Sequence, residues 1–195
     1  MNNQATTVLL CGVGGQGTIL AADILAGVCM AQGLDVKVSE IHGMAQRGGA
    51  VTTVVRFGQN VNSMACSIAE ADFVYALETT EALRNISFLK PGGVLLVSDE
   101  TIKTLPAAIG KDVMPKNPIE RLNESGAIII PAKQIAVDAG TEKASNIALL
   151  GALSVNLRFD ENVWIEVLNK RIPQKYLDIN LKAFNAGREA FRQIN

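Results

Sequence analysis

Between residues 12 and 17 the chain reads Gly12-Val13-Gly14-Gly15-Gln16-Gly17, so Gly12, Gly14 and Gly17 satisfy the spacing G-x-G-x-x-G. Glycines at this spacing permit a tight turn and let a ligand approach the backbone, and free N–H groups at the start of a following helix attract an anion. Thr18 opens such a helix. Glu40, somewhat further on than the roughly 20 residues usual for a dinucleotide site, could bind a ribose. The alternative is a strand-to-helix turn whose glycines serve packing, and the spacing alone leaves both readings open.

A second polar segment follows, His42-Gly43-Met44-Ala45-Gln46-Arg47-Gly48-Gly49. His42 can donate and accept hydrogen bonds near neutral pH, and Arg47 offers a planar fork to a carboxylate or phosphate. Gln46 adds an amide, while Gly48 and Gly49 let a ligand or another chain come close. The plainer reading has His42 and Arg47 holding their own loop. Cys11 could be paired with His42 on paper, but it lies in an apolar run where a free thiol packs as a small hydrophobe, and no third residue would orient the pair. No catalytic residue is assigned to this chain. Asp72, Glu78 and Glu81 read as solvated or capping carboxylates.

The elements that must position these residues are legible as alternating short strands and helices. Thr6 to Cys11 reads as a strand buried on both faces, and Thr18 to Gln32 as a largely covered helix stopped by Gly33. Val36 to Val38 reads as a second strand, parallel to and paired with the first in a βαβ unit. Strands are also expected at 51–57, 72–77, 94–97 and 127–130. A helix is expected from about Thr80 to Leu89, with a turn at Lys90-Pro91-Gly92-Gly93, and irregular structure from Asp99 to Pro118. Beyond Pro131 the period turns helical. Asn146 to Leu157 should be buried, and Asp160 should cap a helix carrying Val163, Trp164, Val167 and Leu168 on one face. A last helix sets Leu177, Leu181, Phe184 and Phe191 inward, with Lys182, Arg188 and Arg192 turned away. The expected architecture is a single domain over residues 1–195: a three-layer α/β, Rossmann-like, mostly parallel sheet with a helical C-terminal third.

Composition narrows the function. The chain has 195 residues, 18 Lys+Arg against 19 Asp+Glu, and is 48% hydrophobic and 19% charged. That is neither a disordered chain nor a basic nucleic-acid binder. No run approaches the roughly 20 apolar residues of a membrane span, and the polar start lacks a signal-peptide pattern, so a soluble, cytoplasmic protein is expected. With 3 scattered cysteines and 1 histidine, neither an iron-sulfur cluster nor a multi-histidine metal centre is expected from this chain alone.

Taken together, the Gly12–Gly17 turn and the segment Glu40-Ile41-His42-Gly43-Met44-Ala45-Gln46-Arg47-Gly48-Gly49 resemble the gamma subunit or domain of the 2-oxoacid ferredoxin oxidoreductases. The similarity runs along the whole chain and is most specific before Phe57. The Gly-Gly-Gln-Gly turn and the Arg-Gly-Gly element belong to the broad family; His-Gly-Met-Ala-Gln points to the small (beta) subunit of its indolepyruvate branch. The resemblance implies oxidative decarboxylation of a 2-oxoacid, here an aryl pyruvate, to an acyl-CoA with reduction of ferredoxin. It implies thiamine diphosphate with Mg, [4Fe-4S] clusters and coenzyme A in the complex, none held by this chain alone. The chain lacks cluster cysteine sets and a Gly-Asp-Gly segment. A large thiamine diphosphate and iron-sulfur partner subunit is therefore implied, with ferredoxin met through the complex and no activity from this chain alone. Gly12, Gly14, Gly15, Gln16, Gly17 and Thr18 become candidates for cofactor contact. Glu40, His42, Gln46, Arg47, Gly48 and Gly49 become candidates for substrate or interface contact. The other readings are an independent NAD- or FAD-binding oxidoreductase and a non-enzymatic ligand-binding module. The isolated chain is expected to pair with itself through the apolar patch meant for its companion.

Overall fold

The unbroken apolar run after Thr6 forms β1 (Thr6–Val13), whose residues 7–13 are all buried. The computed structural model describes residues 5–42, 49–103, 107, 110 and 113–194, with the backbone alone of His42. After the glycine turn comes α1 (Thr18–Ala31), then β2 (Asp35–His42) and β3 (Ala50–Gly58). These are followed by β4 (Ala71–Ala76), α2 (Thr79–Asn85) and β5 (Leu89–Ser98). Next are α3 (Pro118–Glu124), β6 (Ile128–Ile130) and α4 (Ala132–Ala139). The chain ends with α5 (Ser145–Asn156), α6 (Glu161–Arg171) and α7 (Gln174–Ile194).

Six strands form one mixed sheet in the order β2-β3-β1-β4-β5-β6. β1, β4, β5 and β6 pair in parallel, as expected. The expected parallel pairing of β1 with β2 does not occur. β3 lies between them, antiparallel to both, with Val55 opposite Val8 on one side and Val38 on the other. The physical reason is burial. β3 brings Val54, Val55 and Phe57 to an interior position, all nearly inaccessible, whereas β2 carries Lys37 and Glu40, charges that an edge strand tolerates.

Both faces of the sheet are covered. On one side Leu9, Val74, Leu95 and Val97 pack with Ala82 of α2 and Leu122 of α3. On the other, α1 and the C-terminal helices bury Val8, Leu10, Tyr75 and Leu96 with Trp164 and Phe184. Among the described residues no helix is long and apolar enough to cross a membrane. α5 and α7 touch backbone to backbone. A Cβ added at Gly151 would stand 2.0 Å from the Phe184 carbonyl oxygen, and one at Gly187 would stand 1.8 Å from that of Ala148.

Three local expectations change. Lys90-Pro91-Gly92-Gly93 is no free turn but a bulge within β5: Ala71 faces Leu89, while Phe73, two residues on, already faces Val94. The extra residues are absorbed there, with Gly92 at φ 76. Arg188 is not turned to solvent. It is 8% exposed and donates to Ser154 Oγ and Glu161 Oε2, both at 2.8 Å, clamping α5, α6 and α7 together. A buried charge is tolerated because a carboxylate and a hydroxyl meet it. The helix expected to Leu89 stops at Asn85 and finishes as a single 3₁₀ turn, Ile86–Phe88. Asp160 caps α6 as expected, accepting from the Asn162 N–H at 2.9 Å.

Candidate functional site

The turn after β1 is built around one amide. Gln16 folds back so that its Oε1 accepts from the Val13 N–H at 2.9 Å, and its Nε2 donates to the Leu77 carbonyl at 3.0 Å and to Glu100 Oε2 at 3.2 Å. A Cβ at Gly12 would meet that Oε1 at 2.8 Å, so Gly12 is small to make room for Gln16 rather than for a pyrophosphate. Gly17, at φ 82, stands against Asn146 of α5, whose Nδ2 donates to the Gly17 carbonyl at 3.1 Å. A side chain there would be strained and would also strike Asn146, 2.4 Å from its first carbon. Tyr75 fixes the same corner from β4, its hydroxyl donating to the Asn146 carbonyl at 2.7 Å. Complete burial pushes that phenol's pKa well up.

Glu100 extends the tie. Its Oε1 accepts from Lys133 Nζ at 3.1 Å, and Lys133 also reaches Glu142 at 3.6 Å. The hydrogen bond to Glu100, aided by both carboxylate charges, holds the ammonium above its ordinary range. Gln16, Glu100 and Lys133 thus tie the ends of β1, β4 and β5 to α4.

Above this network opens a cleft of about 720 Å³, lined by Gly14, Gly15, Gln16, Gly17, Lys133, Lys143 and Ser145 among others. The starts of α1 and α5 both face it. The first N–H groups of α1 lack intrahelical acceptors, whereas at α5 the Ser145 N–H donates to the Glu142 carbonyl and the Ile147 N–H to Asn146 Oδ1; each start carries about half a positive charge. Lys133 is engaged by Glu100 and Glu142, whereas Lys143 has no ion pair among the described residues. The arrangement suits a phosphate or carboxylate. A second hollow of about 540 Å³ shares Leu20, Lys143 and Asn146 with the first and adds Ile172, Tyr176 and Ile179, giving an apolar continuation.

Of the sequence candidates, Gly12, Gly14, Gly15, Gln16, Gly17 and Thr18 form one turn and helix start. Gln16 and Gly12 face inward, and Thr18 is 3% exposed. Gly14 and Gly15 remain open to the cleft. Gly49 is brought to this turn: the Gly14 N–H donates to its carbonyl at 2.9 Å, because β3 pairs with β1. Gln46, Arg47, Gly48 and the side chain of His42 lie outside the described residues, as do Gly43, Met44 and Ala45. Glu40 is exposed on the edge strand, two strands from β1 and thus about 10 Å to the side. A dinucleotide ribose held by the glycine turn would not reach it. Lys133, Lys143 and Asn146 were invisible to motif reading because the strand order alone brings them to the turn.

The other polar groups are structural. Cys11 is fully buried and its thiol pKa is pushed up by burial and by the charges of Glu81 and Glu78; burial likewise lifts Cys29 to about 12. Glu78 caps α2, accepting from the Thr80 N–H at 3.0 Å and from the Glu81 N–H. Glu81, read as solvated or capping, is 1% exposed; Oε1 meets Arg84 while Oε2 has no partner. Burial raises its pKa despite Arg84. A raised carboxyl pKa stabilises the fold below the unfolded value, and this is lost as pH rises through the folded value. The thermal midpoint of Glu81→Gln relative to wild type is therefore expected to climb between pH 4 and 7; a flat or falling difference would contradict the burial of the ionised carboxylate. Among the described residues no group of three or more His, Cys, Asp or Glu is placed to hold a metal ion.

A mixed sheet covered on both faces, with its polar cleft at the carboxyl ends of the parallel strands, defines an open-sheet α/β protein, a class in which that edge is the usual place for ligands. The chain belongs to the pyruvate ferredoxin/flavodoxin oxidoreductase family, whose profile matches residues 7–190. It is 33% identical over 195 residues, 96% of each chain, to "Indolepyruvate oxidoreductase subunit IorB" of Pyrococcus horikoshii. The gamma subunit of a keto/oxoacid ferredoxin oxidoreductase from Geobacter sulfurreducens superposes with a TM-score of 0.71 at 25% identity, covering 96% of this chain and 99% of that one. The fold also matches 2-oxoglutarate:ferredoxin oxidoreductase from Magnetococcus marinus, solved with 2-oxoglutarate, coenzyme A and succinyl-CoA bound. There the TM-score is 0.74 at 24% identity, and the match covers 98% of this chain but 32% of the longer one. The resemblance read from residues 12–17 and 40–49 is borne out.

Proposed function

We propose that this chain, as one gamma-type domain along its whole length, is the small subunit of a cytoplasmic 2-oxoacid ferredoxin oxidoreductase acting on indolepyruvate or related aryl pyruvates. A large partner subunit carries the thiamine diphosphate, Mg and [4Fe-4S] clusters, passes electrons to ferredoxin, and is completed by this chain. The chain is inactive alone and self-pairs when isolated, through the apolar rim where Ile19 and Leu20 are 47% and 37% exposed. The single observation carrying the reading is near full-length similarity to small subunits named for indolepyruvate, together with a cleft able to receive an anion.

In that cleft the starts of α1 and α5 and the Lys143 ammonium bind the phosphates of coenzyme A, while the hollow beside Tyr176 receives an apolar portion. Gly14 and Gly15 admit the ligand to the backbone, and the segment Glu40, His42, Gln46, Arg47, Gly48 and Gly49 faces substrate or partner. The chain's own part is to bind, orient and exclude water; the electron sink is the cofactor's. An independent NAD or FAD enzyme is disfavoured by the displacement of Glu40 from the glycine turn. Co-expression of this chain with the large subunit should yield coenzyme A-dependent viologen reduction with indolepyruvate, absent from either chain alone. Lys143→Glu should raise the KM for coenzyme A about tenfold or more, by reversing one charge-assisted contact. Full activity of the large subunit alone, or an unchanged KM, would overturn the proposal.

A further inference from the structure

At the opposite end of the sheet from the cleft, a hollow of about 340 Å³ opens between the strand starts and the end of α5. Its walls are aromatic: Phe57 from β3, Phe73 from β4 and Phe159 after α5. One charge there is unpaired: the exposed Arg158 has no ion pair among the described residues. The remaining charges satisfy each other, since Asp72 accepts from the Thr7 N–H at 2.7 Å and pairs with Lys90. A guanidinium forks readily onto a carboxylate.

We infer that this hollow is a binding site for a small aryl carboxylate, its ring against Phe57, Phe73 and Phe159 and its carboxylate on Arg158. The volume falls at the small end of ligand pockets and fits one ring with a short acid arm. Nothing in the inference depends on the cleft or on the proposed reaction.

The fold supplies a reporter. Phe159 lies 6.4 Å, centroid to centroid, from Trp164, the single tryptophan of the chain. Phenylacetate added to the full chain should change Trp164 emission saturably and broaden the 19F line of 4-fluorophenylacetate. Acetate, which lacks the ring, and phenethylamine, which carries the opposite charge, should do neither. Arg158→Gln should weaken the response about tenfold, the scale of one charged hydrogen bond, with an unchanged thermal midpoint. No saturable response to phenylacetate, an equal response to phenethylamine, or wild-type affinity in Arg158→Gln would each overturn the inference.

Discussion

Gly187→Ala is expected to destabilise the chain by about 3 kcal/mol or more, although alanine ordinarily improves a helix interior by about 1 kcal/mol over glycine. The sign reverses because the new methyl would stand 1.8 Å from the Ala148 carbonyl oxygen, a backbone atom held in α5. Relief requires α5 and α7 to separate, and that separation also loosens Trp164, Phe184 and the Arg188 clamp. Gly151→Ala meets the Phe184 carbonyl in the same way and should act alike. Chemical denaturation of Gly187→Ala beside Ala186→Gly, at an exposed neighbouring position, makes the comparison. A smaller loss at Gly187 than at Ala186 would show that the helices are not in backbone contact.

Gln16→Leu should strike the cleft with similar force. The substitution keeps the bulk but removes one acceptor and two donated bonds, leaving the Val13 N–H and the Leu77 carbonyl to find other partners. Unpaired buried groups cost about 1–3 kcal/mol each, so local stability should fall by about 2–4 kcal/mol. Amide hydrogen exchange at Val13 should quicken, and turnover of the assembled enzyme should drop about tenfold or more. Gln16→Glu is the sharper variant, because a carboxylate would face the Leu77 carbonyl and Glu100. Its damage should ease as pH falls and the new carboxyl gains a proton. Wild-type exchange at Val13 in both variants would remove Gln16 from its role in holding the turn.

The strands were legible because each is a short apolar run, and α1 because its glycine turn and Gly33 bracket it. Lateral order was not. Sequence shows that β3 is a strand, yet only competition between Val54, Val55 and Phe57 on one side and Lys37 and Glu40 on the other decides which strand takes the interior. That choice moved Glu40 away from the glycines and Gly49 toward them. Arg188 was read as solvated because charged residues usually are; its partners, Ser154 and Glu161, come from two other helices, and helix periodicity carries no information about them. α3 was missed because it spans only two turns and opens at a proline, which reads locally as a stop. The glycine spacing was found, but its cause was not: Gly12 and Gly17 yield space to Gln16 and Asn146, and nothing in the motif distinguishes a protein amide from a phosphate.

The antiparallel excursion of β2 and β3 has an evolutionary consequence. Its strands are locked in register, His42 opposite Val51 and Val13 opposite Ala50, and a slip of one residue would turn every side chain of β2 to the other face. Lineages sharing this architecture are therefore expected to carry insertions outside these two strands rather than within them.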